Sequence, residues 1–256
     1  MVILTTINET GFITSRKDKW WVKPLIQGGF FGGFAIYTII VLLFGGDNFK
    51  VDEYHYLSPI FDPEVEISGW PDNVSPGFIL IWAPVGFRAT CYYGRQVYYR
   101  AFFMDPPGCS IGELRAVDQK YKGENKWPFI LNNLHRYFFY LAFILTFFHW
   151  FSFFHTLRVD GEFRVGLGGI ILLFDSIFLS LYVLSCHSCK HAIGGGLNSV
   201  SKTKTRRARF RSWKFIKKLN VRHGTYFWLS MITVLLGDLY IRLLAMGIIE
   251  SDWRLI

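Results

Sequence analysis

The chain has 256 residues, of which 51% are hydrophobic and 19% aromatic, whereas only 18% are charged, against about 25% in an average soluble domain. Twenty-six Phe, thirteen Tyr and nine Trp residues exceed what one water-soluble core can hide, so the composition excludes an ordinary cytosolic enzyme, a disordered chain and a disulfide-rich scaffold. The net charge of +9 would suggest nucleic-acid binding in a soluble protein, but in a membrane protein it can arise from unequal charge on the two sides.

Residues 1–24 form a predicted arm ahead of the first apolar segment. Glu9 precedes every basic residue, and no small-residue cleavage site follows, so the pattern is not that of a signal peptide. The arm carries four basic residues against two acidic ones, which is typical of a cytoplasmic segment.

Five apolar segments are long enough to cross a bilayer, whose hydrocarbon core requires roughly 20 apolar residues per helix. In chain order they are 25–46, 76–94, 131–157, 166–185 and 224–247. The second is the weakest, because Pro84 interrupts it and Arg88 lies within it. None shows the polar stripe of a soluble core helix. The sequence therefore predicts an all-α integral membrane protein, with a five-transmembrane-helix bundle over residues 25–247.

The connections between these spans alternate in charge. Loop 47–74 has seven acidic residues and one basic residue, whereas loop 186–222 has eleven basic residues and no acidic one. Loop 95–130 has six basic residues and four acidic ones. Because basic loops remain on the cytoplasmic side, we predict that the N-terminus and loops 95–130 and 186–222 are cytoplasmic and that the tail 248–256 is outside. Topology thus explains the positive charge, and nucleic-acid binding is not expected.

Polar side chains gather at the predicted cytoplasmic ends of the helices. Because such groups are costly in a membrane, their clustering indicates a functional site. The histidines, cysteines and arginines of this layer are Arg88, Cys91, Arg95, His135, Arg136, Cys186, His187, Cys189, His191, Arg222 and His223. The predicted outer side holds His55, His149 and His155. For any single Arg or Tyr, the interpretation as an ordinary interfacial anchor remains open.

The hexapeptide 186–191 contains two Cys and two His, the residue types that bind zinc or an iron–sulfur cluster. At about 100° per residue, Cys186 and Cys189 share one helix face, and His187 and His191 share another. A regular helix therefore cannot place all four around one ion, so either the helix ends here or other helices contribute ligands. Candidates at matching depth are Cys91, His135 and His223. Buried thiols with hydrogen-bonded histidines are the alternative interpretation.

Two further pairs lie deeper in the predicted spans. Asp238 and Arg242 have the i, i+4 spacing of an ion pair on one helix, and one hypothesis pairs Asp175 with His149 across helices. A bis-histidine haem requires two His at one depth on facing helices, but His149 and His155 both lie on the third span. Haem is therefore not expected.

Runs along nearly the whole chain carry a family resemblance. They are GFRATCYYGRQVYYRAFF (86–103), NLHRYFFY (133–140), LSCHSCKHAIGGG (184–196) and NVRHGTYFWLS (220–230), with WVKP at 21–24 and YLSP at 56–59. They resemble the haem-free membrane-anchor subunit of a mycobacterial-type succinate dehydrogenase, a respiratory complex II. The resemblance implies a multi-pass protein of the cell inner membrane, with a flavoprotein subunit holding FAD and an iron–sulfur subunit holding three clusters on its cytoplasmic face. It also implies that this chain, which is not catalytic alone, passes electrons to menaquinone or ubiquinone.

Members of that family are described as carrying a Rieske-type 2Fe–2S cluster bound by two Cys and two His in the membrane region. On this chain the resemblance implies Cys186 and Cys189 on one iron, and His191 and His223 on the other. The reserve ligands are His187, His135 and Cys91.

Quinone reduction requires a flat apolar slot, hydrogen-bond donors for the carbonyl oxygens and a proton path. The predicted quinone-binding residues are Trp20, Tyr92, Tyr93, Arg95 and Asn133. The predicted catalytic residues, which would polarise the carbonyls and relay protons, are Arg88, His135 and Arg136. Arg88 is assigned this role because a lone Arg inside a span is otherwise costly.

Other interpretations are a di-haem cytochrome b-type carrier, a purely structural anchor, and a transporter or channel. A transporter is disfavoured because no inverted repeat or pair of broken helices appears. Loop 95–130 and the basic stretch 200–219 are expected to dock the iron–sulfur subunit, and the bases of 186–222 to contact anionic lipid. Loop 47–74 is too long for a bare connection and is expected to fold as a cap on the outer side.

Overall fold

The chain is described by a computed structural model. It describes residues 19, 21–65, 77–102, 127, 129–159, 161–197, 199 and 202–255. The α-helices are α1 (Val22–Phe44), α2 (Phe78–Thr90), α3 (Tyr92–Ala101), α4 (His135–Thr156), α5 (Leu167–Leu184), α6 (His187–Gly194), α7 (Lys204–Asn220) and α8 (His223–Ala245). Short antiparallel pairs join β1 (Lys50–Val51) to β2 (Tyr56–Leu57) and β3 (Arg158–Val159) to β4 (Glu162–Phe163). Asp52–Tyr54 and Phe129–Leu134 are 3-10 helices.

Four helices in the described part of the chain are long and apolar enough to cross a membrane. They are Val22–Phe44, Ile130–Thr156, Leu167–Leu184 and His223–Ala245. Each coincides within a few residues with a predicted span. A long apolar run without a polar stripe has both the length and the hydropathy that a membrane crossing requires. The prediction of a helical membrane protein is confirmed for these four segments.

The second predicted span, 76–94, is not one continuous helix. α2 ends at Thr90, the backbone of Cys91 is extended (φ −65°, ψ 143°), and α3 begins at Tyr92. The 13 residues of α2 are shorter than a bilayer core, since a rise of 1.5 Å per residue gives about 20 Å against about 30 Å. With Arg95 and Arg100, α3 is too polar to continue a span. A fifth crossing therefore stays a prediction.

The chain forms two compact units, 1–37 with 89–133 and 38–88 with 134–256. In the first unit, α1 and α3 pack closely at Gly28, where an added Cβ would lie 2.6 Å from the Cβ of Ala101. The hydroxyl of Tyr98 donates to the side-chain oxygen of Asn132 at 3.2 Å, which ties α3 to the 3-10 helix before α4.

In the second unit, α5 packs against both α4 and α8, and neighbouring helices run antiparallel. We call the end where α4 and α8 begin and α5 ends the site end, and the opposite end the far end. At the site end, His135 of α4 contacts Cys186 just after α5. Ser185, also after α5, contacts His223 of α8. The helices thus bring side chains from three separate sequence segments into one layer.

The far end is closed by the described part of loop 47–74, residues 47–65, and by the tail. Asp252 of the tail is buried and accepts hydrogen bonds from Tyr56 (2.6 Å), Tyr240 (2.7 Å) and the backbone N–H of Gly168 (3.1 Å). Only glycine fits at position 168, because a Cβ there would collide with the Tyr56 ring. A single carboxylate therefore joins the loop, the start of α5 and the end of α8.

A buried ion pair joins the end of α8 to the loop after α1. Arg242 Nε lies 2.8 Å from Asp238 Oδ2, which confirms the pair predicted from the i, i+4 spacing. Ser58 donates a short hydrogen bond to the other Asp238 oxygen, and Arg242 also donates to the Gly45 carbonyl oxygen at 3.3 Å. The spacing could not predict these two partners, because both come from distant sequence.

Candidate functional site

Arg88 is the charged residue at the core of the site end. Its side chain is buried near the end of α2, where one guanidinium nitrogen donates to Ser230 Oγ at 3.0 Å and to the Phe227 carbonyl oxygen at 3.3 Å. The guanidinium also lies 5.0 Å from the centre of the Tyr182 ring, a distance at which a cation and an aromatic face attract. Arg88 is therefore not an exposed interfacial anchor. It is a buried cation fixed by α8 and α5.

Aromatic rings from four helices form a connected cluster that includes the two rings in contact with Arg88, those of Tyr182 and Phe227. Tyr182 is 1% exposed, and its ring centre lies 5.0 Å from those of both Phe87 and His223. Phe87 in turn stacks on His135, with 4.8 Å between ring centres and 8° between planes. We call Phe87, His135, Tyr182, His223 and Phe227 the rim cluster. Tyr182 was not among the predicted site residues, and its one signal in the sequence is a phenol near the end of an apolar span.

The two histidines of the rim cluster make polar contacts to the segment after α5. His135 Nε2 lies 3.3 Å from Cys186 Sγ, and the backbone N–H of Ser188 donates to the same sulfur at 3.3 Å. His223 Nδ1 lies 2.7 Å from Ser185 Oγ. These contacts place the buried thiol of Cys186, the buried imidazole of His223 and the half-buried imidazole of His135 in one layer at the site end.

The Cys/His run itself forms a short helix. The backbone of Cys186 is extended (φ −62°, ψ 144°), so α5 ends before the run and α6 begins inside it. The predicted division into two faces is confirmed, because Cys189 is buried whereas His187 and His191 are mostly exposed, with their Nε2 atoms 2.9 Å apart. Burial raises the pKa of the Cys189 thiol to about 11. Burial and the neighbouring charges of His191 and Lys190 lower the pKa of His187.

The predicted cluster ligands do not converge. In the described parts of the chain, no three His, Cys, Asp or Glu side chains are grouped so that they could hold a metal ion. Cys186 and Cys189 are both buried, but His191 is turned towards His187 and His223 towards Ser185. The residues as arranged therefore do not form the two-Cys, two-His set of a Rieske-type centre, and that cofactor stays a prediction of the family resemblance.

The structure describes five of the six remaining predicted quinone-site residues. Arg136 is exposed on α4, and Trp20 lies outside the described residues. Tyr92, Tyr93, Arg95 and Asn133 belong to the first compact unit. There Tyr92 is exposed and packs edge-on against Tyr93 at 5.4 Å, while Asn133 is exposed.

The layer of Arg88, His135 and Cys186 lies in the part of the chain that matches a known family. A family profile described as actinobacterial succinate dehydrogenase subunit SdhC matches residues 22–247. The chain belongs to this SdhC family. It is also similar to a chain of the solved structure "Mycobacterium smegmatis Sdh1 complex in the apo form", with 37% sequence identity and a TM-score of 0.83 over 95% of this chain and 94% of that chain. No curated protein matches the sequence.

Membership of the SdhC family confirms the resemblance seen in the sequence. The chain is a membrane subunit of succinate dehydrogenase, a multi-pass protein of the inner membrane that associates with the other subunits of that complex. Its long apolar helices agree with this location. The Cys/His run at 184–196 and the Arg88 run at 86–103 both fall inside the matched region of the SdhC family.

Proposed function

We propose that this SdhC-family chain is the membrane anchor and quinone-site subunit of its succinate dehydrogenase. Succinate oxidation belongs to the flavoprotein and iron–sulfur subunits, and electrons reach menaquinone or ubiquinone at the site end of this chain. The observation that carries the proposal is the buried Arg88, which α8 fixes against Tyr182 at the end of the bundle that also holds His135.

The geometry suits the chemistry of a quinone. A quinone oxygen gains negative charge as it is reduced, and a cation already fixed in a dry site stabilises that charge without reorganisation. Arg88 is such a cation, since a guanidinium stays protonated at any physiological pH. An imidazole can deliver protons near neutral pH, and the nearly parallel stacking of His135 on Phe87 holds the His135 ring in a fixed plane.

We place the site end on the cytoplasmic side, with the N-terminus inside and the C-terminus outside. The support is the alternation of charge along the loops, and above all the run of basic residues in α7. Arg209 of α7 donates to the carbonyl oxygens of Ile193 (2.9 Å) and Gly195 (2.8 Å), so α7 is attached to α6 at this same end. Its exposed basic face is the proposed docking surface for the iron–sulfur subunit.

The predicted slot residues remain part of the proposal. They are Trp20, Tyr92, Tyr93, Arg95 and Asn133, and the predicted catalytic residue Arg136 is kept with them. The interfacial composition of α3, with its tyrosines and arginines, supports a polar rim for the slot.

The test compares two activities of one purified complex. Succinate-driven reduction of a soluble artificial acceptor reports the partner subunits, whereas succinate-driven quinone reduction also requires the membrane site. We expect Arg88→Leu to lower quinone reduction by about 100-fold or more, as for loss of an oxyanion-stabilising donor, and to leave acceptor reduction unchanged. Arg158→Leu, at an exposed arginine of the far end, should keep both rates. Equal quinone reduction in Arg88→Leu and wild type would show a structural anchor instead.

A further inference from the structure

Three titratable side chains meet inside the second unit, away from the rim cluster. His149 Nδ1 on α4 lies 2.9 Å from Asp175 Oδ2 on α5 and 3.8 Å from Asp62 Oδ2, in the segment before α2. The side chains are 10%, 1% and 4% exposed, respectively. Ionisable groups buried at membrane depth are costly and mark ion or proton pathways. The proposed quinone chemistry does not use these three residues.

Asp62 connects this group to a cavity at the far end. The cavity has a volume of about 680 Å³, and Asp62, Ser152 and His155 contribute to its lining. Since a water molecule occupies about 30 Å³ in the liquid, the cavity has room for a cluster of waters. Burial raises the pKa of the Asp62 carboxyl, and the negative charge of Asp175 raises it further, whereas His149 and a hydrogen bond from Ser152 lower it.

Asp175 continues the polar line towards the site end. Its second oxygen accepts a hydrogen bond from Thr233 Oγ1 on α8 at 3.3 Å. One turn earlier on α8, the buried Ser230 accepts the 3.0 Å hydrogen bond from Arg88. The charged groups that act on His149 are Asp62, Asp175 and, from the site-end side, Arg88. The line therefore begins at the cavity and ends one helical turn from the proposed quinone site.

We propose that Asp62, His149 and Asp175 form a proton relay from the far-end cavity to the site end. The inference rests on the proposed quinone reduction. Succinate loses two electrons and two protons as it becomes fumarate, and those protons leave on the side of the soluble subunits. The quinone gains the two electrons, and the two protons that complete the quinol enter from the cavity. Each proton passes from cavity water to the Asp62 carboxylate and then to His149 Nδ1, and the imidazole becomes neutral again as it gives the proton to Asp175. From the Asp175 carboxyl the proton crosses the Thr233–Ser230 turn of α8 to the quinone oxygen beside Arg88.

The test uses the whole complex in liposomes that contain quinone and a trapped pH dye. Succinate added outside is used only by complexes whose soluble subunits face outward, so their far end faces the lumen. With valinomycin and potassium present to dissipate the potential, we expect the lumen to become alkaline in step with quinone reduction. Asp62→Asn and His149→Gln should abolish this luminal signal and slow quinone reduction at least tenfold.

Two matched variants change the same chemical groups in the same cavity without touching the relay. Glu64→Gln removes a cavity carboxylate that pairs with Lys50 at 2.8 Å, and His155→Gln removes a cavity imidazole that stacks on His55 at 4.4 Å. Both should keep the luminal signal. Quinone reduction in wild type without luminal alkalinisation would overturn the relay alone, whether or not the variants assemble. An equal loss of the luminal signal in the two control variants would also overturn the relay. Absence of quinone reduction in wild type would overturn both the relay and the proposed function.

Discussion

At the scale of single residues, the Asp238–Arg242 pair shows how this protein holds charge inside the membrane. Both side chains are buried, and each has a further partner, Ser58 for the carboxylate and the Gly45 carbonyl for the guanidinium. A buried pair of this kind contributes little over two apolar residues, but removing one partner leaves the other charge uncompensated.

We therefore expect Asp238→Ala to lower the free energy of unfolding by about 3–5 kcal/mol. The double variant Asp238→Leu/Arg242→Leu should recover most of this loss, because neither charge then remains buried. Thermal unfolding of the purified complex in detergent measures both effects. A double variant as unstable as Asp238→Ala would show that lost packing, and not an unpaired charge, determines the cost.

Tyr182 shows what a local pattern cannot reveal. Its ring contacts Arg88, Phe87, His223 and Phe227, which come from α2 and α8. Nothing in the spacing of α5 distinguishes this tyrosine from an apolar core residue, because its importance arises only when three helices pack. Asp175 and His149 are different, since two ionisable residues inside apolar spans have few possible partners, and their predicted pairing is confirmed at 2.9 Å.

At the scale of helices, the start of α6 determines the surroundings of Cys186 and Cys189. The extended backbone at Cys186 separates α6 from α5, and the following turn buries Cys189 while it leaves His187 and His191 mostly exposed. The helical period alone predicted the two faces. It did not predict which candidate at matching depth would contact Cys186, because the contact with His135 depends on how α4 and α5 pack side by side.

The cluster implied by the family resemblance has a direct test. Low-temperature EPR and iron analysis of the purified complex should show a Rieske-like signal of low average g, with iron beyond that of the partner clusters. The variant Cys186→Ala/Cys189→Ala should lose both. Cys109→Ala, which removes the cysteine of the predicted loop 95–130, should lose neither. An unchanged spectrum and iron content would mean that these thiols are structural.

The basic helix α7 carries the prediction about assembly. Lys204, Arg207, Arg211 and Lys214 are exposed, and a charged patch of this kind acts mainly on association rate and salt dependence. Lys204→Glu/Arg207→Glu should therefore weaken capture of the iron–sulfur subunit most strongly at low salt, and the difference from wild type should shrink as rising salt screens the charges. Co-purification at several salt concentrations measures this. Arg158→Glu/Arg254→Glu reverses two exposed bases at the far end and should assemble as wild type does. Retained assembly in the α7 variant would contradict the proposed docking surface.

At the scale of the whole chain, the sequence predicts the membrane-spanning segments better than the contacts between them. Length and hydropathy determine the four long helices, and the i, i+4 spacing determines one ion pair. The break between α2 and α3 was not predicted at its actual position. Pro84, the expected interruption, lies inside α2 without ending it. The contact that closes the far end was also not predicted, because Tyr56 and Asp252 are 196 residues apart in the sequence.

The site end depends on single residues, on their helices and on the packing of the whole chain. Arg88, His135 and the Cys186 segment come from three distant stretches, and antiparallel packing brings them together around Tyr182. The far end has the opposite character, with a tail fastened by Asp252 and a cavity beside Asp62. Such a division fits the proposed quinone site at one end and the proposed entry of protons at the other.

The most direct test of the proposed function is to locate the quinone. A photoreactive quinone analogue, bound to the whole complex and crosslinked during turnover, labels the residues that line its site, and mass spectrometry of the digested chain identifies them. We predict labelled peptides from 78–102, 135–140, 182–191 and 223–230, with labelling suppressed by excess unmodified quinone. Labelling confined to the far-end segments 47–65 and 147–166, or to the partner subunits, would contradict a quinone site at Arg88.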